Sequence, residues 1–229
     1  MRKIKFSEAI NEATSICLNK DKNFIVFGLG STDPRRIFGT TNQLVEKYGK
    51  DRVFDVPTSE NALTGMSIGL ASTGIKVLFS HQRVDFSFLS LDQIINNLSK
   101  WYFMYGGQKS LPITIRMIIG RGWGQGPTHA QSFQSLFSRI PGLKVVMPSN
   151  PANAKGLLIS SILDPNPVIF LEHRWLHNLE DKVNKNFFLN KINKSRIIKK
   201  GKDITIIGMS YSSIEIKSLE KILKLNKID

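Results

Sequence analysis

Asp55-Val-Pro-Thr-Ser-Glu-Asn-Ala-Leu-Thr-Gly-Met-Ser-Ile-Gly-Leu-Ala71 decides the fold class of this chain. Apolar Val53 and Phe54 lead into a short polar turn, and one acid, Glu60, opens the segment after it. Gly65 and Gly69 then recur four residues apart on one helical face, with apolar Met66 and Leu70 beside them. A strand, a turn, an acid and a helix make the repeating unit of an α/β sheet. Two roles fit Glu60. It is a helix-start acid near capping residues Thr58 and Ser59, favoured by the macrodipole. Or it sits in a joint between two chains, because the glycines let another backbone approach, and presses on a ring held there.

The same alternation runs outward on both sides. Ile10, Ala13, Ile16 and Cys17 lie at helical spacing after Ser7, a candidate cap. Asn23 to Leu29 is a short apolar run typical of a strand buried on both faces. A short helix is predicted around Gln43 to Tyr48, ending at Gly49, and a strand over Lys76 to Ser80. Leu91, Ile94, Ile95, Leu98 and Tyr102 predict one long amphipathic helix closed by Gly106 and Gly107. Ile113 to Ile119 reads as a strand that empties into the glycine-rich loop Gly120 to Gly126, with a helix after His129. Strand Leu143 to Met147, a helix capped by Asn150 and running through Leu163, and strand Val168 to Leu171 come next. This predicts a doubly wound, mostly parallel α/β domain over residues 1–175. Ligands of such sheets sit at the carboxyl ends of the strands, where Glu60 and the glycine loop both fall. Residues 176–200 read as a lysine-rich linker. Residues 201–229 read as the opening strand (Asp203 to Gly208) and helix (Ser213 to Leu225) of an incomplete second domain.

Composition narrows the class. The 229 residues are 41% hydrophobic and 22% charged, ordinary for a globular protein. No apolar run reaches the roughly 18–20 residues of a membrane span, and no signal-type block opens the chain. One cysteine, Cys17, excludes a disulfide framework and a multi-cysteine zinc site. A reduced, cytoplasmic protein is expected. The net charge of +14 (32 basic, 18 acidic) suggests a polyanion partner. Much of the lysine, however, lies in the tail among Asn and Ile, without aromatic stacking platforms, so nucleic acid is not expected.

The spacing Glu60, four residues, Gly65, Met66, two residues, Gly69, Leu70 resembles the glutamate-glycine signature of thiamine-diphosphate enzymes. The wider chain resembles the beta subunit of 2-oxoacid dehydrogenases of the pyruvate and branched-chain type, which carry a transketolase-like pyrimidine-binding domain. Asp55 to Glu60, Leu91 to Asn96, Pro141 to Val146, Ala154 to Leu158 and Asn166-Pro167 carry the likeness in order over residues 5–210.

The resemblance implies oxidative decarboxylation of a 2-oxoacid with acyl transfer to lipoamide. It implies Glu60 bonded to a pyrimidine nitrogen of thiamine diphosphate, Phe86 stacked on that ring, and His129 in the channel used by lipoyl groups. Burial disfavours a carboxylate's charged form, so a shut joint would suit an acid role. Plain readings remain beside these: core packing with Phe88 for Phe86, and a satisfied structural residue for His129. His81, Gln82 and Arg83 replace the acidic and apolar stretch of better-known subunits and would line a differently charged pocket; Arg83 reads first as a solvated surface arginine, with contact to a substrate carboxylate as the alternative. A second departure is Gly28 to Asp33, where the family usually carries an acidic pair. The resemblance also implies a potassium ion on backbone carbonyls matching Ile113, Ser161, Ile162, Asp164 and Asn166; the alternative is a helix-to-strand turn. Magnesium would be held elsewhere, since the Gly-Asp-Gly segment that binds it is missing. The implied partners are an alpha subunit carrying the diphosphate and magnesium half, a lipoyl-bearing acyltransferase, and an alpha2beta2 heterotetramer. The rivals are a transketolase-like or decarboxylase subunit using the same cofactor, and a non-catalytic, polyanion-binding module.

Overall fold

The computed structural model describes residues 1–122 and 124–229. In chain order the regular elements are β1 (Arg2–Lys5), α1 (Phe6–Lys20), β2 (Phe24–Gly28), α2 (Leu44–Tyr48), β3 (Val53–Phe54), α3 (Glu60–Ser72), β4 (Lys76–His81), α4 (Trp101–Met104), β5 (Ile113–Ile119), α5 (Gln134–Ser138), β6 (Lys144–Val146), α6 (Pro151–Leu163), β7 (Val168–His173), β8 (Glu180–Val183) and α7 (Ser212–Leu225). Six strands form one parallel sheet in the order β3-β2-β4-β5-β7-β6. Successive side chains on each strand point to opposite layers. Phe24, Val26, Leu78, Val168 and Phe170 join the core beneath α1 and α6. Phe27, Val77, Phe79, Ile169 and Leu171 join the second core, beneath α3. Strands buried on both faces must be apolar throughout, which is why Ile113 to Ile119 reads as an unbroken run.

Asn150 caps α6 as expected, its side-chain oxygen accepting from the Asn153 N–H at 2.8 Å. Four expectations fail. The long helix from Leu91 to Tyr102 is broken into a 3-10 stretch (Val84–Ser90), a π-helical stretch (Gln93–Leu98) and the short α4. The Ser99 N–H reaches back five residues to the Ile94 carbonyl, so one extra residue is held in the turn and the apolar stripe shifts face. At the other end of the chain, α1 begins at Phe6 rather than after Ser7; the Lys5 N–H bonds the Glu8 carboxylate at 2.7 Å. The segment read as a linker opens with β8, which pairs antiparallel with β1 in a separate two-stranded ribbon. Finally, residues 203–208 form no strand and are largely exposed. An apolar run becomes a strand only where a neighbour takes its backbone hydrogen bonds, and no such neighbour lies beside it among the described residues. No helix among the described residues is long and apolar enough to cross a membrane.

Candidate functional site

Strand addition reverses direction at β2: β3 lies on one side of it and β4 on the other. Open α/β sheets form a crevice at such a point, outside the carboxyl ends of the strands. A cleft opens there, and Leu29, Glu60, Leu63, Phe79, His81 and Phe86 are among its walls. The loops that build it are tied together. The Asp55 carboxylate, just past β3, accepts from the Gly30 N–H at 2.8 Å and the Val56 N–H at 2.8 Å. Gln82, just past β4, donates to the Leu29 carbonyl at 2.9 Å.

Glu60 is the first residue of α3, with Ser59 at the cap position making no side-chain capping bond. Its side chain is half-buried. Gly69 on the same helix has open space where a Cβ would stand, and Gly65 meets nothing closer than the Gln93 side chain at 3.6 Å. The crowding that would require glycine is therefore not supplied by the described residues. Phe86 lies in the Val84–Ser90 stretch and meets His129 edge-on, ring centroids 5.3 Å apart. Phe88 packs separately, against Phe133 at 4.4 Å. The His129 Nδ1 shares a hydrogen bond of 2.9 Å with the Thr128 hydroxyl. The three residues singled out for chemistry thus converge: Glu60 and Phe86 share one cleft, and His129 abuts Phe86 from the glycine loop.

The side chains that line the cleft have the chemistry to face a flat, mostly apolar ring with a few polar edge atoms. Phe79, Leu63 and Phe86 supply apolar wall, and Glu60 supplies a carboxyl group at a helix start. Ser80 Oγ and His81 Nε2, both on the wall and buried, have no hydrogen-bond partner among the described residues. Buried polar atoms in native proteins are normally paired, so these two fit a ligand with ring nitrogens or an amino substituent. Burial pushes the His81 pKa down to about 3, which keeps its ring neutral.

Arg83 corrects the surface reading. It is 5% exposed, its guanidinium lies 4.9 Å from the Phe38 ring centroid, and it donates to Gln125 of the glycine loop. Beneath it runs a buried network that the motifs did not reveal. Arg116 pairs with Glu172, His177 Nε2 lies 3.1 Å from the same carboxylate, and Arg116 donates to the Thr40 hydroxyl at 2.8 Å. The only signal for it was polar residues inside otherwise apolar strands, Arg116 in β5 and Glu172 in β7. Burial pushes the Glu172 pKa up, but the Arg116 charge and the His177 bond outweigh it and hold it low.

Of the carbonyls matched to potassium, four run from the end of α6 through the turn after it. Ile113 opens β5, Ser161 and Ile162 close α6, Asp164 is its C-cap and Asn166 precedes β7. The Asp164 carboxylate takes Lys144 Nζ at 2.6 Å and the Asn166 N–H at 2.9 Å. Among the described residues no three His, Cys, Asp or Glu side chains gather as a metal site would need. Burial, with Asp21 adding to it, pushes the Cys17 thiol up to about 12, so it stays protonated.

Residues 2–178 match the family described as transketolase, pyrimidine binding domain. The chain is 36% identical over 220 residues to the acetoin:2,6-dichlorophenolindophenol oxidoreductase subunit beta of Bacillus subtilis (strain 168), covering 91% of this chain and 64% of that protein. It is 39% identical over 210 residues to the pyruvate dehydrogenase E1 component subunit beta of Porphyra purpurea, covering 92% and 63%. It therefore spans somewhat under two thirds of these relatives. A solved structure described as a split gene transketolase, inactive beta4 tetramer, superposes with a TM-score of 0.77 at 18% identity, over 98% of this chain and 69% of that one. At that identity it speaks for the fold alone.

Proposed function

The chain belongs to the family of transketolase pyrimidine-binding domains, and from that premise we propose that it is the beta-type half of a two-chain, thiamine-diphosphate-dependent 2-oxoacid dehydrogenase. The reaction is oxidative decarboxylation of a 2-oxoacid with acyl transfer to lipoamide. The observation that carries this reading is the convergence of Glu60, Phe86 and His129 at the point where strand addition reverses. Relatives whose names specify beta subunits of pyruvate and 2-oxoisovalerate dehydrogenases support it.

Bound thiamine diphosphate supplies an electron sink for decarboxylation. The residues of this chain bind and orient it. Phe86 offers a flat apolar surface to the pyrimidine. Glu60 holds a proton at its carboxyl oxygen against a ring nitrogen. Ser80 Oγ and His81 Nε2 offer polar contacts at the ring edge. His129, at the end of the glycine loop, stands at the entrance and moves a proton to the incoming acceptor.

An alpha-type partner completes the site. Glu60 is only half-buried here, Gly69 faces open space, and Leu29 and Met66 are exposed apolar residues, 37% and 38% accessible. A second chain seated on this face would shut water out, and in that assembly it would bring the diphosphate and magnesium half. The potassium site on the carbonyls of Ile113, Ser161, Ile162, Asp164 and Asn166, the lipoyl-bearing acyltransferase, the alpha2beta2 assembly and a cytoplasmic location belong to the same proposal.

The test is turnover of the complex reconstituted with its alpha-type partner. Glu60→Ala should lower turnover by roughly 10²–10⁴ while the thermal melt of the chain is unchanged. His129→Ala should lose lipoamide-linked turnover more than turnover with an artificial electron acceptor. Near-wild-type rates for Glu60→Ala would overturn the reading.

A further inference from the structure

Outside the Glu60 cleft, positive charge gathers at one place on the same end of the sheet. Arg83 follows β4 and Arg174 follows β7, and both guanidinium groups lie over the ring of Phe38, at 4.9 and 4.4 Å from its centroid. Like charges repel, so the fold must hold them together. Arg36, Ile37 and Phe38 have φ of +48°, +45° and +58°, a left-handed run that non-glycine residues rarely adopt. The run is pinned by Thr40, whose hydroxyl donates to the Ile37 carbonyl and accepts from buried Arg116, both at 2.8 Å. Strain of this kind persists only where the surroundings over-determine it, and it clusters at ligand sites.

Two buried or half-buried acids, Glu172 and Asp85, act on this pair of arginines. Glu172 is held by Arg116 and His177. Asp85 favours the charge on Arg83; its Oδ1 accepts from Gln131, and its buried Oδ2 has no hydrogen-bond partner among the described residues. Arg174 is half-buried and makes no ion pair among the described residues. Burial disfavours its charge, which Glu172 partly favours, and burial also disfavours the charge on Arg83, which Arg174 disfavours further. An anion between them would relieve both effects. Guanidinium forks bind the oxygens of carboxylate and phosphate two at a time.

We propose that Arg83 and Arg174, gathered on Phe38, bind a second acidic group of the substrate, a carboxylate or phosphate retained through the reaction. This rests on the reading of the Glu60 cleft as the cofactor site: Gln82 lines that cleft and Arg83 is the next residue. Strong pairing with the carboxylate that departs as carbon dioxide would stabilise the ground state and slow the reaction. A group carried into the product has no such penalty, and holding it orients the oxo carbon towards the cofactor.

The deciding experiment is calorimetric titration of the full 229-residue chain at low salt with two probes, glutarate and inorganic phosphate. Pentanoate, with one charge, is the control. Binding of glutarate or phosphate at least tenfold tighter than pentanoate is expected. Arg174→Gln should weaken it tenfold or more, and Arg174→Lys should restore part of it. Glutarate alone would indicate a dicarboxylic substrate, phosphate alone a phosphorylated one. Absence of binding, or equal binding by wild type and Arg174→Gln, overturns the proposal. Arg83→Gln is read only if its melt matches wild type; half-buried Arg174 carries the test regardless. The readout needs no cofactor or partner, so Glu60→Ala should bind the anion normally, and failure here leaves the Glu60 reading intact.

Discussion

Glu60 was legible at the residue scale because an acid followed by two glycines and apolar neighbours at helical spacing is a multi-position pattern. His81 was noticed only as a departure, and its burial gives it a thermodynamic consequence. Its folded pKa, lowered to about 3, lies far below the roughly 6.5 of an unfolded histidine. Between these values the unfolded chain binds a proton that the folded chain does not, so stability rises with pH there. The contribution is fully present above about pH 6.5 and is lost as pH falls towards 3, by up to about 1.4 kcal/mol per pH unit for one group. His173, lowered to about 4 by burial and then by Arg121, acts in the same direction. Urea unfolding between pH 5 and 7 should therefore show a slope that flattens in His81→Asn. An identical slope in the two proteins would contradict the assignment.

At the element scale the six strands of the parallel sheet were read almost to the residue, because strands buried on both faces leave continuous apolar runs. The segment after Phe86 was not. Its apolar spacing predicted a regular helix, whereas the backbone takes up an extra residue in the π-helical stretch Gln93–Leu98. What sets that stretch in place is a contact distant in sequence. Gly142 has φ +94°, and a Cβ there would stand 1.9 Å from the Ser99 carbonyl oxygen. Only glycine lets the turn before β6 press on the end of the π-helical stretch. Gly142→Ala should cost at least about 1–3 kcal/mol through backbone strain alone, and the clash adds to it. A thermal melt several degrees below wild type is expected; an unchanged melt would show that the close approach is dispensable.

For the whole molecule, the surprise is what holds residues 180–186 to the domain. Lys155 marked the resemblance through Ala154 to Leu158, with no sign that it would be buried. Its ammonium is fully enclosed, bonded to Glu12 at 2.8 Å and to the carbonyls of Asn184, Lys185 and Asn186 at 2.7, 3.0 and 3.0 Å. One side chain on α6 thus joins α1 to the segment beyond β8, next to the β1–β8 ribbon. Lys155→Met fills similar volume but leaves three carbonyls without their donor and Glu12 with Arg2 as its remaining partner. A loss of about 3 kcal/mol or more is expected. Limited proteolysis should then cut within residues 184–200 much faster than in wild type, and equal cutting rates would show that the ribbon holds the segment unaided.

Sequence alone determined the parallel α/β class and the positions of the six strands of the main sheet, because burial on two faces leaves local patterns, and its family resemblance singled out Glu60, Phe86 and His129 as the residues to watch. Tertiary structure decided everything that depends on residues far apart in the chain. It brought the three into one place, buried Arg83 against Phe38, left residues 203–208 without a sheet to join, and turned part of a lysine-rich segment into a strand paired with the N-terminus. A pairing partner, a desolvated charge or a close backbone approach is a property of two distant segments at once, and neither segment carries it alone.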